Sequence, residues 1–127
     1  MIDAKEYATR ILSVLNEFES DNIPAIVNTV TRREDAEEAI SPIRAAVEQL
    51  LQSGEATLRT MKGGLVSISD IPEELTAIFQ AMSYDNKSHR WRSNAIGATV
   101  LLAISGSGKK AADAALRARG DRWWTVT

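Results

Sequence analysis

Cysteine is missing from this chain, histidine occurs once, and no uncharged run exceeds the 16 residues from Ser93 to Gly108. Without thiols there is no disulfide, no thiolate zinc site and no cysteine nucleophile, a pattern in keeping with a reducing, cytoplasmic setting. The single histidine, His89, stands in a polar stretch between Ser88 and Arg90. A metal cage would have to be built from carboxylates alone, and a histidine-based triad has no nucleophile motif beside it, so His89 reads as a solvated loop residue. The uncharged run contains serines, a threonine, an asparagine and three glycines, too short and too polar to span a bilayer. The N-terminus, MIDAKEYATR, carries charge within its first six residues and lacks the apolar core of a secretion signal. The acidic group Glu34, Asp35, Glu37 and Glu38 has neither the spacing nor the glycine of a calcium loop and reads as the exposed side of a short helix. No catalytic constellation, metal site, cofactor motif or small-molecule substrate emerges, and the expectation is a non-enzyme.

What is present describes a water-soluble domain. With 127 residues, 44% apolar and 25% charged, the chain has the size of one domain, 1–127, and enough apolar material for a real core. The net charge of −2 conceals a division: residues 1–85 hold 15 acidic and 7 basic side chains, residues 86–127 hold 2 and 8. Such a split marks either a polyanion-facing surface or two halves that attract each other.

The stretch from Ser41 to Ser69 organises the rest. Ser41-Pro42 reads as a helix start, Ile43, Val47, Leu50 and Leu51 share one helical face, and Gly54 sits where a left-handed C-cap is wanted. Ala56–Thr60 and Leu65–Ser69 then read as two short strands joined through Lys62-Gly63-Gly64. Upstream, Asp3 and Glu6 have capping-box spacing ahead of a helix over 4–19, and Ile23, Ile26, Val27 and Val30 mark a second, shorter helix with Pro24 near its start. Thr31 to Glu34 repeats the capping-box spacing before a weakly amphipathic piece ending at Ile40. This order resembles a winged helix-turn-helix domain over roughly residues 4–69, with 42–53 as recognition helix and 56–69 as wing. Either of the two short segments before Ser41 would serve as the preceding helix.

Downstream, Pro72, Glu73 and Glu74 open a helix whose buried stripe is Leu75, Ile78, Phe79 and Met82. Residues 84–93 read as a loop. Residues 95–104 suit a buried helix or a buried strand, with Ser93 as a cap and the length favouring helix. Lys109–Arg119 is alanine-rich and helical, closed by Gly120, and Arg122–Thr127 has strand composition that would add a third strand to the wing. The expected fold is therefore mainly α with a small antiparallel β-hairpin or three-stranded sheet, winged-helix-like with additional C-terminal helices.

Two apparent motifs reduce to simpler readings. Ala45-Ala46, Leu50, Gly54-Glu55 and Ala111-Ala112, Leu116, Gly120-Asp121 repeat at one spacing, but Ile43, Val47 and Leu51 would align with Lys109, Asp113 and Arg117, which cannot be buried alike. Val100 to Lys110 looks similar to a nucleotide-phosphate loop, yet that pattern needs glycine at Ala103 and a hydroxyl at Lys110. The simpler reading is a flexible turn between helices; a looser phosphate site at the helix start near Lys109 stays open.

Binding is the better expectation, and two classes compete. For DNA, the resemblance implies that Gln49, Gln52 and Arg44 read bases, that Arg59 and Lys62 on the wing contact the backbone, and that Lys87, Arg90, Arg92, Lys109, Lys110, Arg117, Arg119 and Arg122 supply further phosphate contacts. The alternative is a protein-interaction adaptor or inhibitor on the same scaffold, for which the near-neutral recognition helix and Trp91, Trp123 and Trp124 speak. A homodimer through segments 4–19 and 73–84 is a further expectation, with no membrane partner.

Overall fold

In the computed structural model, residues 2–94 and 100–126 are described, and among them five helices frame a small antiparallel sheet. Helix α1 (Ala4–Phe18) starts where Asp3 accepts a hydrogen bond from the Glu6 N–H at 2.9 Å. It is the central element, with Tyr7, Ile11, Leu12, Val14 and Leu15 all buried. It packs against α2 (Ile23–Val30), α3 (Ile40–Ser53) and α5 (Gly106–Arg119). Asn22 caps α2 by accepting from the Ala25 N–H at 2.9 Å, and Pro24 lies in its first turn, where no N–H is needed.

Helix α3 begins differently from the expected Ser41 cap. Residues 33–39 form consecutive turns, opened by the Arg32 N–H bonding to Asp35 Oδ1 at 2.9 Å, and run directly into α3 at Ile40 with no side-chain cap. The turns lead straight into the helix ladder, with the Ala39 N–H bonded to the Asp35 carbonyl at 3.1 Å and the Ile43 N–H to the Ala39 carbonyl at 2.9 Å, so the helix already starts one residue before Ser41. The other end is as expected: Gly54 adopts φ 77°, a left-handed conformation that a Cβ would strain.

The sheet is built from strands far apart in sequence. Strand β1 (Ser20–Asp21) and β2 (Ala56–Thr60) flank β5 (Val100–Ile104) in the order β1-β5-β2, with Leu58 opposite Leu102 and Thr60 opposite Val100. Of the two strands expected of the hairpin, only Ala56–Thr60 forms. Leu65–Ser69 is not a strand: the chain turns back through the Thr60 N–H to Gly64 carbonyl bond (2.8 Å), bridges only at Leu65 to Arg59, and enters a 3₁₀ turn at Ile68–Asp70. Strand β5 takes the ladder position instead. Its run of Val, Leu, Leu, Ala and Ile is paired on both edges, which explains why it is apolar without a break and hard to tell from a buried helix by composition. Residues 95–99 of that run lie outside the described residues.

Helix α4 (Ile71–Gln80) follows the 3₁₀ turn, with Leu75 and Ile78 buried, and a two-stranded ribbon of β3 (Met82–Asp85) and β4 (Arg90–Ser93) occupies what reads from sequence as a loop. The ribbon is exposed along most of its length, so no apolar alternation announces it. It is fixed from outside: Asn28 on α2 donates to the Trp91 carbonyl and accepts from the Trp91 N–H, both at 2.8 Å, and the Trp91 indole donates to the Ala36 carbonyl at 2.8 Å.

The chain end is not a third strand either. Residues Trp123–Thr125 form a 3₁₀ turn that drives Trp124 into the core at 3% exposure, its indole N–H donating to the Thr29 carbonyl at 3.0 Å. Two partially polar rings that each find an acceptor are better placed in a compact turn than on a strand edge. The apparent repeat dissolves as well: Leu50 is 2% exposed, whereas Leu116 is 42% exposed.

Candidate functional site

The expected contact residues fall into three groups. The first consists of arginines engaged in ion pairs within the chain, at the surface. Arg119 bonds both oxygens of Glu6, at 2.6 and 3.2 Å, and lies 4.4 Å from the Trp123 ring centroid. Arg122 pairs with Glu17 at 3.0 Å and Arg92 with Asp85 at 2.9 Å. Arg44 donates to Thr76 Oγ1 at 3.1 Å, pairs with Glu48 at 3.5 Å and stands 5.5 Å from the Phe79 ring. The charge division in the sequence therefore serves, at α1 and α5, to hold the two halves together.

Glu6 is the hub of that seam. Besides Arg119 it accepts from Arg10 Nε and from the Trp123 indole, each at 2.9 Å. Burial pushes its carboxyl up, but the hydrogen bonds from Arg119, Trp123 and Arg10 outweigh it and hold the group below the usual carboxylate range. Beside it, burial and the Asp35 charge push the Tyr7 phenol up to about 12, so it stays neutral.

The second group is the ribbon turn, with Lys87 and Arg90 exposed. Here the Lys87 N–H, bonded to Asp85 Oδ1 at 2.9 Å, leads the contacts that lower the Asp85 carboxyl. His89 lies in the turn between β3 and β4, half-buried, where it adopts φ 56° and its Nδ1 meets the Tyr84 hydroxyl at 3.1 Å. Tyr84, Asn86 and His89 of the ribbon line a cleft of about 390 Å³ together with Arg33, Glu34, Glu37 and Glu38, so the ribbon turn adjoins a mainly acidic segment. Among the described residues no cluster of histidine, aspartate and glutamate is arranged to hold a metal.

The third group gathers at the opposite end of α3. Ser105 caps α5 by accepting from the Gly108 N–H at 3.2 Å, so Ser105–Gly108 is a strand-to-helix junction and not a turn between helices. The Ser105 N–H donates to the Glu55 carbonyl at 3.0 Å, and Ser107 Oγ lies 3.4 Å from the Gly54 carbonyl. The first turn of α5, with Lys109 and Lys110 exposed, is thereby docked on the C-terminal end of α3, where Gln49, Gln52 and Ser53 are also exposed. Lys109 and Arg59 line one cleft of about 310 Å³ on the outer face of the sheet, together with Gly63, Ser20 and Glu19. Arg59 donates to the Gly63 carbonyl at 2.9 Å, and Lys62 stands exposed in the same turn. Arg117 is exposed further along α5, outside that cleft.

A feature that sequence reasoning missed is the groove of about 450 Å³ between α3 and α4, walled by Leu51, Ile71, Pro72 and Leu75 with Arg44 and Glu48 beside them. The available signal was Leu51, which lies at the edge of the buried stripe of α3 and is only half-buried. Compared with known proteins, the chain matches no family model, no curated protein and no solved structure. No helix among the described residues is long and apolar enough to cross a membrane.

Proposed function

We propose that this chain is a winged helix-turn-helix domain whose wing is expanded by the segment 61–99, and that it works without catalysis as a cytoplasmic DNA-binding protein of transcription-regulator type. The order α1, β1, α2, α3, β2, β5 with β5 between the other two strands supports the first part. On this reading α2, not the turns at 33–39, is the helix preceding recognition helix α3. The observation that carries the second part is a set of cations in no ion pair among the described residues: Lys109 and Lys110 at the start of α5, docked on the end of α3 that exposes Gln49 and Gln52, and Arg59 in the cleft that Lys109 also lines, with Lys62 in the adjoining turn. Cations placed there would hold phosphate while glutamine amides reach base edges. Arg44, Arg92, Arg119 and Arg122, being internally paired, would contribute little.

The test is a mobility shift of labelled duplex DNA at about 50 and about 200 mM salt, where several phosphate contacts predict a steep loss of affinity. Substituting Lys109→Glu and Lys110→Glu together abolishes the shift on this reading, and unchanged affinity would remove the α5 start from the contact surface. A second reading, an adaptor or inhibitor that binds protein and not DNA, draws support from the apolar groove and from an α3 surface whose one arginine is engaged by α4. Absence of any shift at the lower salt would favour it.

A further inference from the structure

Three of the large apolar side chains exposed on the described surface lie within one short stretch: Met61 at 64%, Leu65 at 63% and Ile68 at 86%. Soluble monomers seldom leave such a stretch uncovered when it runs into an apolar depression. Ile68 does so, standing on the rim of the groove between α3 and α4, whose floor and walls include Leu51, Ile71, Pro72 and Leu75. The same face therefore carries both a protruding aliphatic knob and a hole that would accept one. The two charged residues lining the groove, Arg44 and Glu48, are opposite in sign and sit one helical turn apart.

We propose that the occupant of this groove is a second copy of the chain, placed by a two-fold axis so that Ile68 of each protomer enters the groove of the other. A two-fold contact requires a self-complementary surface, and a face with one knob, one hole, one cation and one anion meets that requirement. The axis sets Arg44 of one protomer toward Glu48 of its partner, so the pair that closes within one chain at 3.5 Å can be shared between two. A polyanion would find no net positive charge here, and a strongly basic or acidic partner would leave one of the two charges opposed. The inference does not rest on DNA binding: the cations of the α5 start lie outside the residues that line the groove, and of the two glutamines proposed to reach bases only Gln52 lines it.

The experiment is sedimentation equilibrium of the full chain from about 5 to about 500 μM, a range that brackets a micromolar dimer. The expected result is a concentration-dependent monomer–dimer equilibrium in the wild type. Ile68→Asp, at a position too exposed to matter for the fold, weakens it at least ten-fold with an unchanged circular dichroism spectrum. Glu48→Arg and Arg44→Glu each weaken it alone, and mixing the two single variants restores association as a heterodimer, which repair of the pair within one chain could not do. A wild type that is monomeric throughout, or a dimer indifferent to Ile68→Asp, overturns the proposal. The variant carrying Lys109→Glu and Lys110→Glu, altered outside the groove, keeps this equilibrium, so the two readings fail separately.

Discussion

Gly106 and Gly108 lie two residues apart in the first turn of α5, yet replacing each by alanine sends stability in opposite directions. Helix propensity favours both changes, by up to about 1 kcal/mol for a glycine inside a helix and less at its first position. At Gly106 nothing lies within 4 Å of the added methyl group, so the gain survives as a few tenths of a kcal/mol. At Gly108 the new Cβ would overlap the Glu55 carbonyl oxygen, closer than any real methyl approaches, and would stand 2.8 Å from Ile104 Cγ1. The obstacle is backbone at the point where α3 hands over to β2, and it is the acceptor of the Ser105 N–H bond at 3.0 Å. Moving α5 away to make room costs about 1–3 kcal/mol in disturbed packing and about 1 kcal/mol in that hydrogen bond. After the propensity gain is subtracted, Gly108→Ala is destabilising by about 1–3 kcal/mol. Urea unfolding followed by the fluorescence of buried Trp124 reads the difference directly. Equal stability of the two variants would refute the close approach, and with it the explanation of Gly108 as a packing residue instead of a remnant of a phosphate loop.

Other changes act on other joints. Glu6→Gln removes the charge shared by Arg10 and Arg119 and costs about 2 kcal/mol at pH 7. Because the folded carboxyl titrates below its ordinary value of 4.5, its contribution is complete above that value and is lost as pH falls through the lowered one. The gap between wild type and variant in urea midpoint therefore closes under acid, and a gap that persists unchanged down to about pH 3 would sink this account. Asn28→Ala strips Trp91 of both main-chain partners, costing about 1–3 kcal/mol, and hydrogen exchange should show the Trp91 amide losing protection while Leu102 in β5 keeps its own.

Helices α1, α2, α3, α4 and α5 were legible because each announces itself locally, through an apolar period, an asparagine or aspartate cap, a proline in the first turn or a closing glycine. Strand β2 was legible because Gly54 fixes where it starts. The failures share a different cause. Strand β5 is apolar throughout, and its partners lie at 20–21 and 56–60, distances over which a single sequence gives no pairing information. The ribbon of β3 and β4 is polar on its exposed sides and is made a ribbon by Asn28, a residue no one would assign to it from spacing. The same limit governs the proposed contact surface. Arg119 and Arg122 look as available as Lys109 until the fold brings Glu6 and Glu17, more than a hundred residues away, against them.

The ladder rung that joins Thr60 to Val100 has one more consequence. Apart from the Leu65–Arg59 bridge, the described residues of the excursion between them, 61–94, add no strand to this sheet and no rung between β2 and β5. A chain in which a two-residue turn replaced it would still have its three strands in register and α1 enclosed by α2, α3 and α5. It would lose the cover on one flank of α3 and the latch on α2. The excursion is thus a removable fitting on a hinge of zero span, and what it dictates is which sides of the helices stay open to visitors.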